Sequence, residues 1–148
     1  MLLKNRVAFV TGAGSGIGAA GANAMAREGA QVIVTDLDGR AADAVASTIR
    51  AQGYAAEAMQ VDVTDDFALV AAITSVAQKY NRLDVLHSHA GIQIEGKLEQ
   101  IAVADMDASW ALNVRAHFVA AQAAIQPMRV VAASSSPRPI RVCNTTGK

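Results

Sequence analysis

A doubly wound α/β fold, with about four to five parallel strands covered by helices on both faces, is predicted by three features of this sequence. Strand-like and helix-like segments alternate along most of the chain, a glycine-rich turn joins the first pair, and the connections are short and polar. Val7 to Thr11 is an apolar run of strand length, and the Ala- and Met-rich segment Ile17 to Arg27 follows as a helix, with Gly29 where a helix-ending glycine belongs. Gln31 to Thr35 is β-branched and bounded by Asp36, which reads as the second strand. Arg40 to Ala51 places Ala44, Val45, Thr48 and Ile49 on one helical face and stops before Gly53.

The third strand is expected over Ala55 to Val63, and Thr64, Asp65 and Asp66 supply capping groups for a helix running to about Tyr80. Leu83 to His87 reads as the fourth strand, followed by the loop Ser88-His89-Ala90-Gly91-Ile92. From Val103 to about Gln126 the Ala-rich pattern predicts one long helix that Pro127 should end. Val130 to Ile140, with three serines and two prolines, has the composition of a loop, and Ile140 to Thr145 resembles a further strand. A strand with no helix after it leaves the sheet incomplete.

At 148 residues and 52% hydrophobic content the chain has enough material for one domain with a core. Thirteen basic residues balance thirteen acidic ones, so no broad attraction to nucleic acid or to an anionic membrane is expected, and partners should be small molecules or protein chains. The single cysteine, Cys143, cannot form an intrachain disulfide, which fits a reducing compartment and a cytoplasmic location. The apolar N-terminal stretch is broken by glycines, so Met1 is read as the start of the mature fold. Arg115 and His117 interrupt the most apolar late segment, and no membrane span is expected.

Between the first strand and first helix lies Thr11-Gly12-Ala13-Gly14-Ser15-Gly16-Ile17-Gly18. Glycine lets backbone turn sharply and approach a pyrophosphate, and the helix N-terminus offers free N–H groups and partial positive charge. The spacing is Gly-x-x-x-Gly-x-Gly over Gly12, Gly16 and Gly18.

Thr11 through Gly18 resembles the Thr-Gly-x-x-x-Gly-x-Gly hallmark of the short-chain dehydrogenase/reductase family. The resemblance extends from about Lys4 to Met128, through Asp62-Val63, Ala90-Gly91, Asn113 and Pro127-Met128. It implies a Rossmann-like domain over residues 1–128 that binds a nicotinamide dinucleotide, and an activity on small alcohols or ketones. Cofactor contacts are implied at Gly12, Ser15, Gly16, Ile17 and Gly18, at Asp36 and Leu37, at Asp62 and Val63, at Ala90 and Gly91, and at Val114.

Asp36, at the end of the second strand, can accept from the adenosine ribose hydroxyls and would repel a 2′-phosphate. With Ser15 and Leu37 where the phosphorylated cofactor usually calls for a basic residue, NAD is favoured over NADP, although Asp36 as a mere helix cap stands as an alternative. The resemblance gives Asp62 contact with the adenine amino group and Val63 a backbone contact; helix capping is the alternative for Asp62.

The family's Asn-Asn-Ala-Gly is Ser88-His89-Ala90-Gly91 here, so the small residues agree and the amides are lost, which puts local stability in doubt. His87, His89 and His117 have no accompanying carboxylate–histidine motif, and no metal site is expected.

Asn113 matches the asparagine that holds a water of the family's proton relay. The family's Tyr-x-x-x-Lys pair has no counterpart: four residues after Tyr54 and Tyr80 stand Ala58 and Asp84. For residues 129–148 three readings stand. Val130 to Ser136 could be the fifth strand, with Ser135 or Ser136 as the family's serine; Ile140 to Thr146 could be that strand, with Thr146 and Gly147 at the serine site; or the tail could be unrelated to the family. The chain is accordingly expected to be catalytically incomplete, with a non-catalytic binding or interaction module, or a gene fragment, as alternatives. The long helix is the family's usual element of homo-oligomer assembly.

Overall fold

The computed structural model describes residues 1–134 and 142–143, with side chains through residue 128. The chain runs β1 (Val7–Thr11), α1 (Gly16–Arg27), β2 (Gln31–Asp36), α2 (Gly39–Ala51), β3 (Ala56–Gln60), α3 (Asp66–Tyr80) and β4 (Val85–Ser88). It continues through α4 (Val103–Trp110), a π-helical turn (Ala111–Arg115), α5 (Ala116–Ser134) and the two-residue β5 (Val142–Cys143). All pairings are parallel, in the order β3-β2-β1-β4-β5.

Alternation along the strands produces two cores. Val7, Phe9, Ile33 and Leu86 face α3 and α5, with Leu69, Ile73, Ala116, Ala120 and Ala124 packed on them. Ala8, Val10, Val32 and Val34 face α1 and α2, where Ala22, Ala26, Ala42 and Ala46 keep the contact close. The strand order reverses between β1 and β4, and an open parallel sheet leaves its binding crevice at that reversal, beyond the carboxyl ends of the strands.

Four elements depart from expectation. β3 ends at Gln60 rather than Val63, because its partner β2 ends at Asp36, opposite Gln60; Val61 makes one last bond to the Asp36 carbonyl at 2.9 Å. β4 begins at Val85 rather than Leu83, since β1 starts only at Val7 and Asp84 turns its side chain to that strand end.

The predicted single helix from Val103 is two helices joined by the π turn, and it does not stop at Pro127. Proline in a helix interior costs about 3 kcal/mol. That cost is offset by a buried stripe at four-residue spacing, Ala116, Ala120, Ala124 and Met128, which holds the helix on the sheet to either side of Pro127. Val130 to Ser134, loop-like in composition, is therefore the end of α5, and the reading of Val130 to Ser136 as the fifth strand fails over those residues. Val142–Cys143 pairs with β4 and agrees with the other alignment, while Ser135, Ser136, Thr146 and Gly147 lie outside the described residues. No helix among the described residues is long and apolar enough to cross a membrane.

At the opposite end of the strands Asp84 clamps the starts of β1 and β4. It accepts from Arg6 Nη1 at 2.7 Å, Val7 N at 2.9 Å, Arg82 Nε at 2.8 Å and Arg82 Nη2 at 2.7 Å. Burial works to raise its pKa, but the bonds from Arg82, Val7 and Arg6 outweigh this and hold the carboxyl below its ordinary 3.8. A lowered native pKa means that the stabilisation is complete above the ordinary value and is lost as the pH falls from there through the lowered native pKa. Asp84→Ala should cost about 3 kcal/mol near neutral pH by leaving its partners unpaired. Urea unfolding of both proteins at neutral pH and below about pH 3.5 checks this, and the gap should shrink in acid.

Candidate functional site

The crevice is built from the loops that follow β1 and β4. Thr11, the last residue of β1, accepts through Oγ1 from His89 N at 2.9 Å and Ala90 N at 3.2 Å. One hydroxyl oxygen thus ties the two loops together. They also touch backbone to backbone: a Cβ on Gly12 would lie 2.8 Å from Ala90 Cα, so neither position has room for bulk.

Beyond Gly12 the chain turns into α1 at Gly16. α2 and α3 are capped by Asp38 and Asp65, each accepting from two backbone N–H groups, whereas Ser15 makes no side-chain cap bond and the first turn of α1 has no acidic residue. The positive end of α1 is left uncompensated. Ser15, Gly16 and Ile17 are exposed, Gly18 is buried behind them, and a Cβ on Gly16 would meet nothing within 4 Å. That open space before a helix N-terminus suits a phosphate group.

Asp36 closes β2 beside this loop. Its Oδ2 accepts from Gly14 N at 2.9 Å and its Oδ1 from Asp38 N at 3.0 Å. α2 is capped by Asp38, which removes the reading of Asp36 as that helix's cap. Leu37 is exposed and lines an open groove with Asp38, Gly39, Arg40, Asp43 and Gln60. Asp62 is exposed and accepts from the Thr64 hydroxyl at 2.6 Å and Thr64 N at 2.8 Å; bonds from that hydroxyl and then that amide hold its carboxyl below the ordinary value. Asp65, not Asp62, caps α3, and Val63 is buried in the core.

Asn113 sits in the π turn, where Ala116 N–H reaches back five residues to the Ala111 carbonyl. Its Oδ1 accepts from Ile92 N at 2.9 Å, and its Nδ2 donates to Ile92 O at 2.8 Å and Ser109 Oγ at 3.0 Å. The side chain is therefore spent on the loop after β4, and it sits so close that a Cβ on Gly91 would lie 3.0 Å from its Oδ1. π turns recur at functional sites because the extra residue re-aims a side chain. Val114 is exposed and lines an apolar groove of about 330 Å³ with Ile94, Ile101, Met106 and Trp110.

Ser88 and His89, where the family's amides would stand, have found other partners. Ser88 Oγ and His117 Nδ1 are 2.5 Å apart, which fastens the end of β4 to α5. Burial, then the nearby charge of His89, keep the pKa of His117 low, and the same two causes act on His87. The rings of His87 and His89 lie 5.5 Å apart, and the buried His87 Nδ1 has no hydrogen-bond partner among the described residues. Among the described residues no three His, Cys, Asp or Glu side chains are placed to hold a metal ion.

The loop-tying role of Thr11 and the Ser88–His117 pair are not evident from the sequence alone. Thr11 is the first residue of the glycine motif, and His117 follows Asn113 by four residues, a spacing that puts both on one helical face. That spacing was the available signal.

The sheet order, the switch point and the glycine loop define a Rossmann-like α/β domain. Residues 6–148 match the family described as short chain dehydrogenase, and the chain belongs to the short-chain dehydrogenase/reductase family. It is 36% identical over 121 residues to a D-threitol dehydrogenase from Mycolicibacterium smegmatis, covering 82% of this chain and 46% of that protein. Over 126 residues it is 40% identical to 2-(S)-hydroxypropyl-CoM dehydrogenase 3 from Xanthobacter autotrophicus, covering 85% of this chain and 49% of the relative. A short chain dehydrogenase from Burkholderia cenocepacia, solved in complex with NADP, superposes with a TM-score of 0.82 at 40% identity, over 86% of this chain and 53% of that one. The chain spans about half the length of the curated relatives it matches.

Proposed function

We propose that this chain is the cofactor-binding part of a nicotinamide-dependent alcohol–ketone oxidoreductase, with NAD(H) as its preferred dinucleotide. The observation that carries this reading is the uncapped N-terminus of α1 facing the open space at Gly16. Gly12, Ser15, Gly16, Ile17 and Gly18 would receive the pyrophosphate, and Asp36 and Leu37 the adenosine ribose. Asp62 and Val63 would meet the adenine, and Ala90, Gly91 and Val114 would border the nicotinamide end. A bound nicotinamide supplies hydride transfer, while these residues bind and orient it. Asn113, through its hold on Ile92, sets the height of the loop under that end.

Support for NAD comes from the Asp36 carboxylate, which would repel a 2′-phosphate, and from the lack of a basic side chain at Ser15 or Leu37. Two observations favour NADP instead: Arg40 lines the groove beside Leu37, and the Burkholderia cenocepacia relative was solved with NADP. Titrating NADH and NADPH against Trp110 fluorescence tests the preference. Tighter binding of NADH is expected, and tighter binding of NADPH would reverse the assignment. The exposed stripe Met106, Trp110, Val114 and Phe118, four residues apart along α4, the π turn and α5, supports self-association as a further part of this reading.

A further inference from the structure

Asp36 is the ribose-reading residue of the proposed site, yet both of its oxygens already accept from backbone. Oδ2 takes Gly14 N, twenty-two residues back in the chain, and Oδ1 takes Asp38 N in the turn into α2. The fit is close on every side. A Cβ on Gly14 would lie 2.8 Å from Asp36 Cγ, Asp36 Oδ2 and Ala41 Cβ, so the glycine lies directly against the carboxylate and the first turn of α2. The neighbouring bond from Ala13 N to the Thr35 carbonyl, 2.9 Å, sews the same stretch of loop to the end of β2. The far side of the turn is braced as well, since Gln60 Nε2 on β3 donates to the Leu37 carbonyl at 2.9 Å. Asp36 thus stands on a rigid base and holds a loop whose other end, at Gly16, borders open space where an added Cβ would meet nothing among the described residues within 4 Å.

We propose that Asp36 is a positioning residue for the phosphate loop: its carboxylate fixes the backbone at Gly14 and thereby holds the free N–H groups at the start of α1 in place for a pyrophosphate. This rests on the dinucleotide-binding reading above and deepens it. Ribose recognition and phosphate grip then share one side chain. Each oxygen has spare acceptor capacity, so a ribose hydroxyl can add to the existing bonds without displacing them. A carboxylate accepting from backbone N–H makes the stronger, charge-assisted kind of bond, and losing the Gly14 bond frees the loop to sample positions in which the N–H groups no longer converge.

The consequence separates this role from ribose contact alone. A nucleotide with the pyrophosphate but without ribose hydroxyls should still depend on Asp36. Wild-type chain, Asp36→Ala, Asp36→Asn and Gly14→Ala are titrated by calorimetry with ADP, with 2′,3′-dideoxy-ADP and with NADH, and amide hydrogen exchange at Gly14 is followed in each without ligand. Asp36→Ala is expected to weaken dideoxy-ADP by about tenfold, as for loss of one charged hydrogen bond, and to speed exchange at Gly14. Gly14→Ala, which pushes the carboxylate aside without removing its charge, should weaken dideoxy-ADP similarly, and the double variant should be no worse than the worse single one. Asp36→Asn keeps one acceptor and should fall between wild type and Asp36→Ala.

If Asp36→Ala weakens ADP yet leaves dideoxy-ADP within about twofold of wild type, the residue only reads the ribose and the proposal is wrong. Should Asp36→Ala fail to fold, Asp36→Asn and Gly14→Ala decide the question by the same ratio. Failure of wild-type chain to bind NADH at all would instead overturn the dinucleotide-binding reading itself, leaving faster Gly14 exchange in Asp36→Asn as the surviving check on the latch.

Discussion

The 148-residue chain, given NADH or NAD and a panel of secondary alcohols and ketones, is expected to bind cofactor and turn over none of them above background. Carbonyl–alcohol chemistry needs a group that moves a proton to or from the substrate oxygen, and such groups contribute about a hundred- to ten-thousand-fold each. The sequence has two tyrosines, and the fold places both at the wrong end of the strands. Tyr54 precedes β3 and Tyr80 ends α3 before β4, so both stand where strands begin, whereas the crevice lies where they end. Tyr80 is further committed: its hydroxyl donates to Glu57 Oε1 at 2.5 Å, and burial followed by that carboxylate raises its pKa well above the ordinary 10.0. Its neighbour Lys79 is bound to the same Glu57 at 2.7 Å. Neither Tyr54→Phe nor Tyr80→Phe should change NADH affinity or the background rate. Turnover abolished by either substitution, followed by NADH absorbance, would show that the proton chemistry has been misplaced.

Gly16→Val should remove dinucleotide binding and leave the fold standing. The backbone there has φ +53°, which a β-branched residue adopts at a cost of roughly 1–2 kcal/mol. Apart from its chain neighbours and the helix's own first turns, nothing among the described residues lies within 4 Å of the new Cβ, so no clash from a distant part of the fold is expected to unfold the chain. The valine methyls would instead occupy the space before the first turn of α1. Losing two charged N–H contacts to a phosphate corresponds to a drop of about a hundredfold or more in affinity. Gly18→Ala makes the contrast, because its Cβ would fall 2.0 Å from the Gly12 carbonyl oxygen and the loop itself must move. Circular dichroism and NADH titration on both variants read fold and binding separately. A folded Gly16→Val that binds NADH with wild-type affinity would sink the phosphate-cradle assignment.

The sheet was legible because its determinants are local. Alternating apolar residues in β1 and β2 announce two buried faces, and the glycine spacing announces a tight turn at one strand end. What could not be read depends on distant partners. The four-residue spacing of Ala120, Ala124 and Met128 is readable around Pro127, but not that the sheet buries this stripe, and that burial decides whether the helix survives the proline. The Ser88–His117 pair joins residues twenty-nine apart, and the Asp36–Gly14 bond joins residues twenty-two apart; each needs the completed sheet to bring its ends together. For Asp36 the residue was singled out by its place after β2, while the bonds that occupy it became visible only in three dimensions.

The π turn makes this chain sensitive to length as well as to composition. Deleting any one residue between Trp110 and Ala116 would let the backbone relax to a regular α-helix, a change that local hydrogen bonding favours. The buried stripe on α5 anchors everything downstream, and the wide turn already absorbs its extra residue, so α4 would stay close to its place while the side chains inside the turn are re-aimed. Asn113 would swing off Ile92, and the loop after β4 would lose its brace. A single-residue deletion here would give a straighter helix and a broken crevice, so natural variation in this segment should run through substitutions at constant spacing.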